Sequence, residues 1–200
     1  MNIGPKIKLF AQLIKSIFKD ILLSKSRLNL YKDVEPIFII STGRTGTHFL
    51  THFLSNFLPS SHAVHEPNTD IFELNTAVAK KLISKKRAAK MFCDFRRKHF
   101  NRVNKNKLKY YIESNNNLSF MIPVLSEVFE NYKIIYIQRD GRDFVRSAYS
   151  KYTKGKWVGE VLYMSKNDPR NRLKASDFKL DKYFKDWSNF SRFEKVCWNW

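Results

Sequence analysis

The segment Pro36-Ile-Phe-Ile-Ile-Ser-Thr-Gly-Arg-Thr-Gly-Thr-His48 constrains this chain more than any other. Ile37 to Ile40 form an apolar run of the kind that fills a strand buried on both faces. A turn of small residues follows, and an amphipathic segment from Phe49 to Leu58 comes next. Strand, glycine-containing loop and helix in that order present backbone N–H groups and a helix N-terminus to an anion. Gly43 and Gly46 allow the tight path, and Ser41, Thr42, Thr45 and Thr47 supply hydroxyls. Arg44 adds the cation. The loop is built for a phosphate-like group.

It is not the nucleoside-triphosphate loop. That motif, G-x-x-x-x-G-K-[ST], needs a lysine directly after its last glycine. Here Thr47 follows Gly46, Ser41 stands in place of the first glycine, and no lysine occurs between Asp33 and Lys80.

A second segment repeats the logic. Ile134 to Ile137 read as a buried strand, and Arg139 emerges at its end. Ser147 lies eight residues on, inside a helix expected over Phe144 to Tyr152, which can carry it back towards Arg139. One guanidinium and one hydroxyl can then share one anion. The plainer alternative is an ion pair of Arg139 with Asp143.

Between these segments the pattern predicts a short strand at Ala63 to His65 and helical residues 71 to 105 broken near Ser84. A strand at Lys109 to Ile112 and a helix from Leu118 to Tyr132, with Pro123 in or near its first turn, follow. Strands that alternate with helices imply an α/β fold with a central, mainly parallel sheet flanked by helices. Ligands of such sheets sit at the carboxyl ends of the strands, where Ser41 and Arg139 both fall.

Taken together, the two anion segments resemble the sulfotransferases that use 3′-phosphoadenosine-5′-phosphosulfate (PAPS), in particular the bacterial and carbohydrate-type domain. That family carries a 5′-phosphosulfate loop after its first strand and a 3′-phosphate motif R-D-x-R-D-x-x-x-S after a later one. Ser41 to Thr47 look like the first, and Arg139-Asp-Gly-Arg-Asp-Phe-Val-Arg-Ser147 matches the second. The tail Phe190 to Trp200 is similar to bacterial members as well. The resemblance implies a P-loop-like three-layer fold and sulfuryl transfer from PAPS to a hydroxyl or amine, with the bisphosphate PAP released and no metal needed. By the same resemblance, Gly43, Arg44, Thr45, Gly46, Thr47 and His48 would hold the 5′-phosphosulfate, and Arg139 and Ser147 the 3′-phosphate. Arg44 would stabilise charge on the bridging oxygen. Glu66, before Pro67, is the first choice of base, with Glu113 the rival and His65 and His62 behind them. The cytosolic branch of the family closes a Gly-rich basic segment over the nucleotide. No such segment occurs here, and Trp200 falls within an expected helix, so a chain truncated at this end is one expectation.

Charge narrows the partners less than it suggests. Thirty-seven Lys and Arg against eighteen Asp and Glu give a formal +19, which favours anionic partners without choosing among them. The run Lys80, Lys81, Lys85, Lys86, Arg87, Lys90, Arg96, Arg97 and Lys98 could hold an acidic glycan or be a solvated face. Ile3, Ile7, Phe10, Ile14, Ile17 and Ile21 recur in steps of four and three with lysines between them. This predicts a basic amphipathic helix within residues 1–30, ahead of an α/β domain at 36–200. The helix would either pack on that domain or give peripheral membrane contact through residues 3–23. Cys93 and Cys197 show no metal-ligand spacing and favour a reducing, cytoplasmic compartment. Two competing functions stand beside the transferase: a P-loop-related ATP-dependent kinase, and an inactive basic adaptor for nucleic acid or membrane.

Overall fold

A computed structural model describes residues 33–67, 70–153 and 173–200. The N-terminal amphipathic segment lies outside the described residues. Four strands, β1 (Glu35–Ser41), β2 (Ser61–His65), β3 (Tyr110–Ser114) and β4 (Lys133–Ile137), form one sheet in the order β2-β3-β1-β4. All three pairings are parallel.

The period of two along β1 sorts its side chains to two cores. Ile37 and Ile39 face one side, where Ile112 and the leucines Leu50, Leu54 and Leu58 pack against them. These leucines belong to helix α1 (Thr47–Phe57) and its C-terminal cap. Phe38 and Ile40 face the other side, against α3 (Lys85–Lys105) and the short helix α4 (Ile122–Leu125). There Phe38 sits at the centre of an aromatic cluster, edge-on to Phe92 and Tyr111 at 6.2 Å and tilted against Phe129 at 5.8 Å. Helix, sheet and helix make three layers.

Helix α2 (Asp70–Ala79) ends before Ser84, whose hydroxyl accepts from the Arg87 N–H at 3.3 Å and caps α3. The expected break near Ser84 is therefore an N-cap, a feature worth about 1 kcal/mol to a helix. The expected helix over 118–132 is mostly absent. A 3-10 turn at Asn116–Leu118, the four residues of α4 and a series of turns stand in its place. Pro123 does lie at the start of α4. Strand β3 runs two residues further than expected, to Ser114, because its pairing with β1 continues through Glu113 and Ser114.

Helix α5 (Gly141–Thr153) follows β4 and packs Phe144, Val145 and Ala148 around Val196 of α6 (Arg192–Asn199). Among the described residues no helix is long and apolar enough to cross a membrane.

Candidate functional site

The carboxyl ends of the strands open into a cavity of about 1060 Å³. Its floor is the Ser41–His48 loop, and Glu66, His65, Asn116, Phe120, Arg139 and Trp200 stand around it.

The loop owes its course to left-handed backbone. Gly43 and Gly46 hold φ of 87° and 85°, and Arg44 between them holds 55°. A Cβ at Gly43 would meet the Asn116 amide nitrogen at 2.9 Å, a contact that a turn of the asparagine can relieve, so it is the positive φ that favours glycine there. Ser41 Oγ accepts from the Gly43 N–H at 3.0 Å and closes the turn. Gly46 occupies the N-cap of α1 but offers no capping side chain, and the first turn has no acidic residue. The N–H groups of Thr45, Gly46, Thr47 and His48 find no acceptor among the described residues. A helix start without a cap usually costs stability unless a ligand supplies the acceptor.

The second segment converges on this loop. Arg139 Nη1 donates to the Arg44 carbonyl at 2.7 Å, and Arg44 Nε donates to Ser147 Oγ at 3.2 Å. The pairing of Arg139 with Asp143 considered from sequence is replaced by this bond across 95 positions of chain. The rest of the motif is scaffolding. Asp140 starts α5 by accepting from the Arg142 N–H at 2.9 Å, and the Arg142 guanidinium grips both of its carboxylate oxygens. Those bonds hold the Asp140 carboxyl well below the usual carboxylate range. Gly141 makes room for Trp200: a Cβ there would lie 2.9 Å from the indole ring. Trp200 Nε1 donates to the Arg139 carbonyl at 2.9 Å, so the tail fixes the backbone beside the arginine.

Glu66 leaves β2 at the mouth of the cavity with φ of 42°. Its N–H donates to the Ser114 carbonyl at 2.9 Å, which pins the turn. Arg44 and Glu66 share left-handed backbone with the turn residues Lys81 and Lys107, and of these four only Arg44 and Glu66 line the cavity. Behind Glu66, the Ser114 hydroxyl bridges His65 Nδ1 and Thr51 Oγ1 at 2.6 Å each. Burial pushes the His65 pKa down, the Glu66 carboxylate pulls it partly back, and His48 opposes protonation again. His62 is not at the cavity; it stacks on His99 with Nε2 2.9 Å from His99 Nδ1.

Glu113 is the clear departure from the sequence reading. It is 0% exposed and takes two bonds from Arg96, at 2.7 and 2.6 Å, with the Tyr111 hydroxyl at 2.6 Å and Asn115 Nδ2 at 3.2 Å adding to them. A carboxylate so occupied cannot collect a proton from an acceptor in the cavity. Arg96, expected in a basic surface run, is 0% exposed as well. Burial works against its charge, but the bonds to Glu113 outweigh burial and raise its pKa. Another member of that run, Lys80, pairs with Asp177 at 3.0 Å.

Sequence reasoning missed Trp200, Asn116 and the Phe120–Phe178 stack, whose ring centroids are 6.1 Å apart. For Gly141 the signal was present in the motif. Its reason, an indole ring 59 positions away in sequence, could not be read there.

The sequence model of one protein family, described as the sulfotransferase domain, matches residues 34–197. This chain belongs to the sulfotransferase domain family. The match runs from β1 into α6 and takes in both the Ser41–His48 loop and the Arg139–Ser147 segment, and it makes the protein a transferase of sulfuryl groups. No curated protein and no solved structure matches the chain. The alternating strands and helices, the strand-end cavity and the uncapped loop all have a place in such an enzyme. Among the described residues no cluster of three or more His, Cys, Asp or Glu could hold a metal ion.

Proposed function

We propose that this sulfotransferase takes its sulfuryl group from PAPS and delivers it to a hydroxyl or amine of a carbohydrate acceptor, releasing PAP. The observation that carries the reading is the bond from Arg139 to the Arg44 carbonyl, which brings two anion-binding segments into one cavity. Two anion sites joined by a cavity suit a ligand with phosphates at both ends. The buried polar atoms agree with it: Thr42 Oγ1, Thr45 Oγ1 and Asn116 Oδ1 lie around the loop without a hydrogen-bond partner among the described residues. Such groups are costly unless a ligand or water completes them.

In this reading the N–H groups of Thr45, Gly46, Thr47 and His48 hold the 5′-phosphate at the start of α1, and Gly43 keeps the loop open to it. Arg139 and Ser147 hold the 3′-phosphate. Arg44 sits between the two groups, with its Nε bonded to Ser147 Oγ. Its guanidinium is placed to offset charge on the oxygen that the sulfur leaves. Removing one such preorganised donor costs about 10²–10³ in rate. Glu66 accepts the acceptor's proton as its oxygen or nitrogen bonds to sulfur. PAPS supplies the sulfuryl group and leaves as PAP when its sulfur–oxygen bond breaks.

The acceptor wall supports a sugar. Phe72 and the Phe120–Phe178 pair offer apolar faces, and Asn75 and Asn117 bring amides beside them. Aromatic faces with a few polar groups suit a ring that is apolar on its faces and hydroxylated at its edge. Cys93 and Cys197, neither of them in a disulfide, agree with a reducing, cytoplasmic setting. Incubation with sulfur-labelled PAPS and a panel of glycans and simple alcohols tests the reading. Label should pass to at least one glycan with PAP formed in equal amount. Label that stays on PAPS with every acceptor, together with tighter binding of ATP than of PAP, would refute it in favour of a kinase.

A further inference from the structure

Helix α1 turns its leucines to the sheet and leaves a second apolar row outside. Phe49, Phe53 and Phe57, at steps of four, are 73%, 50% and 71% exposed. Their rings stack in sequence, with centroids 6.3 and 6.0 Å apart. At roughly 200 Å² for each fully exposed ring, the ridge presents about 400 Å² of continuous aromatic surface. A patch of that size is as large as the largest on a typical monomer, and such patches are often functional. The helix bearing it, THFLTHFLSNF, contains no charged residue in a chain that is 28% charged. Solvent contact alone would not select such a face.

We propose that the ridge is covered by residues 3–21 of the same chain, through the stripe Ile3, Ile7, Phe10, Ile14, Ile17 and Ile21. Three observations favour this occupant. The first is where the chain arrives. The Glu35 N–H donates to the Lys109 carbonyl and the Lys109 N–H to the Ser60 carbonyl, both at 2.9 Å. The start of β1 therefore lies at the same end of the sheet as Ser60, which follows closely on the end of α1 at Phe57. The second is reach. Residues 22–33 can span up to about 40 Å, while α1, with 11 residues, is about 16 Å long. The third is pattern. Steps of four and three give an apolar stripe that can lie along a ridge of residues four apart, while Lys6, Lys8, Lys15 and Lys19 remain in water. A short tether also raises the local concentration of the stripe to the millimolar range. A second copy at micromolar concentration competes poorly with that.

Photocrosslinking of the full chain tests the proposal, with Phe53 replaced by a photoreactive benzophenone amino acid. The expected adduct joins position 53 to residues 3–21 at monomer mass. A dimer-mass adduct, an adduct only to acyl chains when phosphatidylglycerol vesicles are present, or no adduct to 3–21 would each overturn it. Hydrogen exchange gives a second readout. Amides of residues 7–21 should be protected at least tenfold relative to unstructured peptide, and Phe53→Asp should remove most of that protection without unfolding the α/β domain. Protection that survives Phe53→Asp would place the segment elsewhere and refute the proposal.

Discussion

Glu113→Gln separates a structural role from a catalytic one more sharply than any other substitution. The wild-type carboxylate accepts from Arg96 Nε and Nη2, from Tyr111 and from Asn115, and both charged partners are wholly buried. Glutamine keeps the shape but removes the charge, and turns an N–H₂ group towards donors. The Arg96 guanidinium is then left uncompensated, and among the described residues its Nη1 has no partner to begin with. Loss of one member of a buried pair costs about 3–5 kcal/mol, out of a total of about 5–15 kcal/mol for a folded protein. At about 2–4 °C per kcal/mol for a domain of this size, the midpoint of thermal unfolding should fall by roughly 6–20 °C. Urea unfolding should show the same loss with an unchanged slope. Replacing both residues, as Arg96→Met with Glu113→Leu, should recover much of it, because the desolvation of two charges is also removed. A Glu113→Gln protein that loses less than about 1 kcal/mol would refute the reasoning. One that unfolds as wild type yet has lost its turnover would make Glu113 the base after all.

Other outcomes follow from the same geometry. Glu66→Gln should leave PAP affinity within about twofold and lower kcat by about 10²–10⁴, the range for general base catalysis; wild-type turnover would remove Glu66 from the mechanism. Gly141→Ala should displace the Trp200 indole, which a new Cβ would meet at 2.9 Å, and weaken PAP binding through the Arg139 backbone; unchanged fluorescence of Trp200 and unchanged affinity would contradict this. Burial and then the neighbouring His62 push the His99 pKa down to about 4 from its ordinary 6.5. The native state thus binds fewer protons than the unfolded chain between those values, so stability is held above pH 6.5 and lost as pH falls towards 4. Unfolding midpoints across that window should drop less steeply in His99→Gln, and an unchanged slope would exclude the pair as a source.

How much of this was readable beforehand depends on the range of the interactions. β1, β4 and the loop and helix that follow each were legible because apolar runs and turn residues encode them locally. The α2–α3 break was legible because Ser84 caps locally. The helix expected at 118–132 failed because packing of Leu118, Met121 and Val124 under the sheet favoured turns over helical propensity. Glu113 and Arg96 looked like a base and a surface cation because each residue type usually is one or the other. Only their pairing across 17 positions, inside the core, reveals what they do. In the same way, the outward phenylalanines of α1 were indistinguishable from its inward leucines in an apolar count.

In the proposed function the Ser41–His48 loop and the Arg139–Ser147 segment hold the two ends of one adenosine bisphosphate. Calorimetric titration of wild type and Arg139→Ala with PAP and with 5′-AMP tests it most directly. Wild type should prefer PAP over 5′-AMP by more than about tenfold, since a charged hydrogen bond to the extra phosphate contributes about 1.5–3 kcal/mol. Arg139→Ala should abolish most of that preference while 5′-AMP affinity changes little. Equal weakening of both ligands would mean that Arg139 only braces the loop through the Arg44 carbonyl, and that the second phosphate is bound elsewhere or not at all.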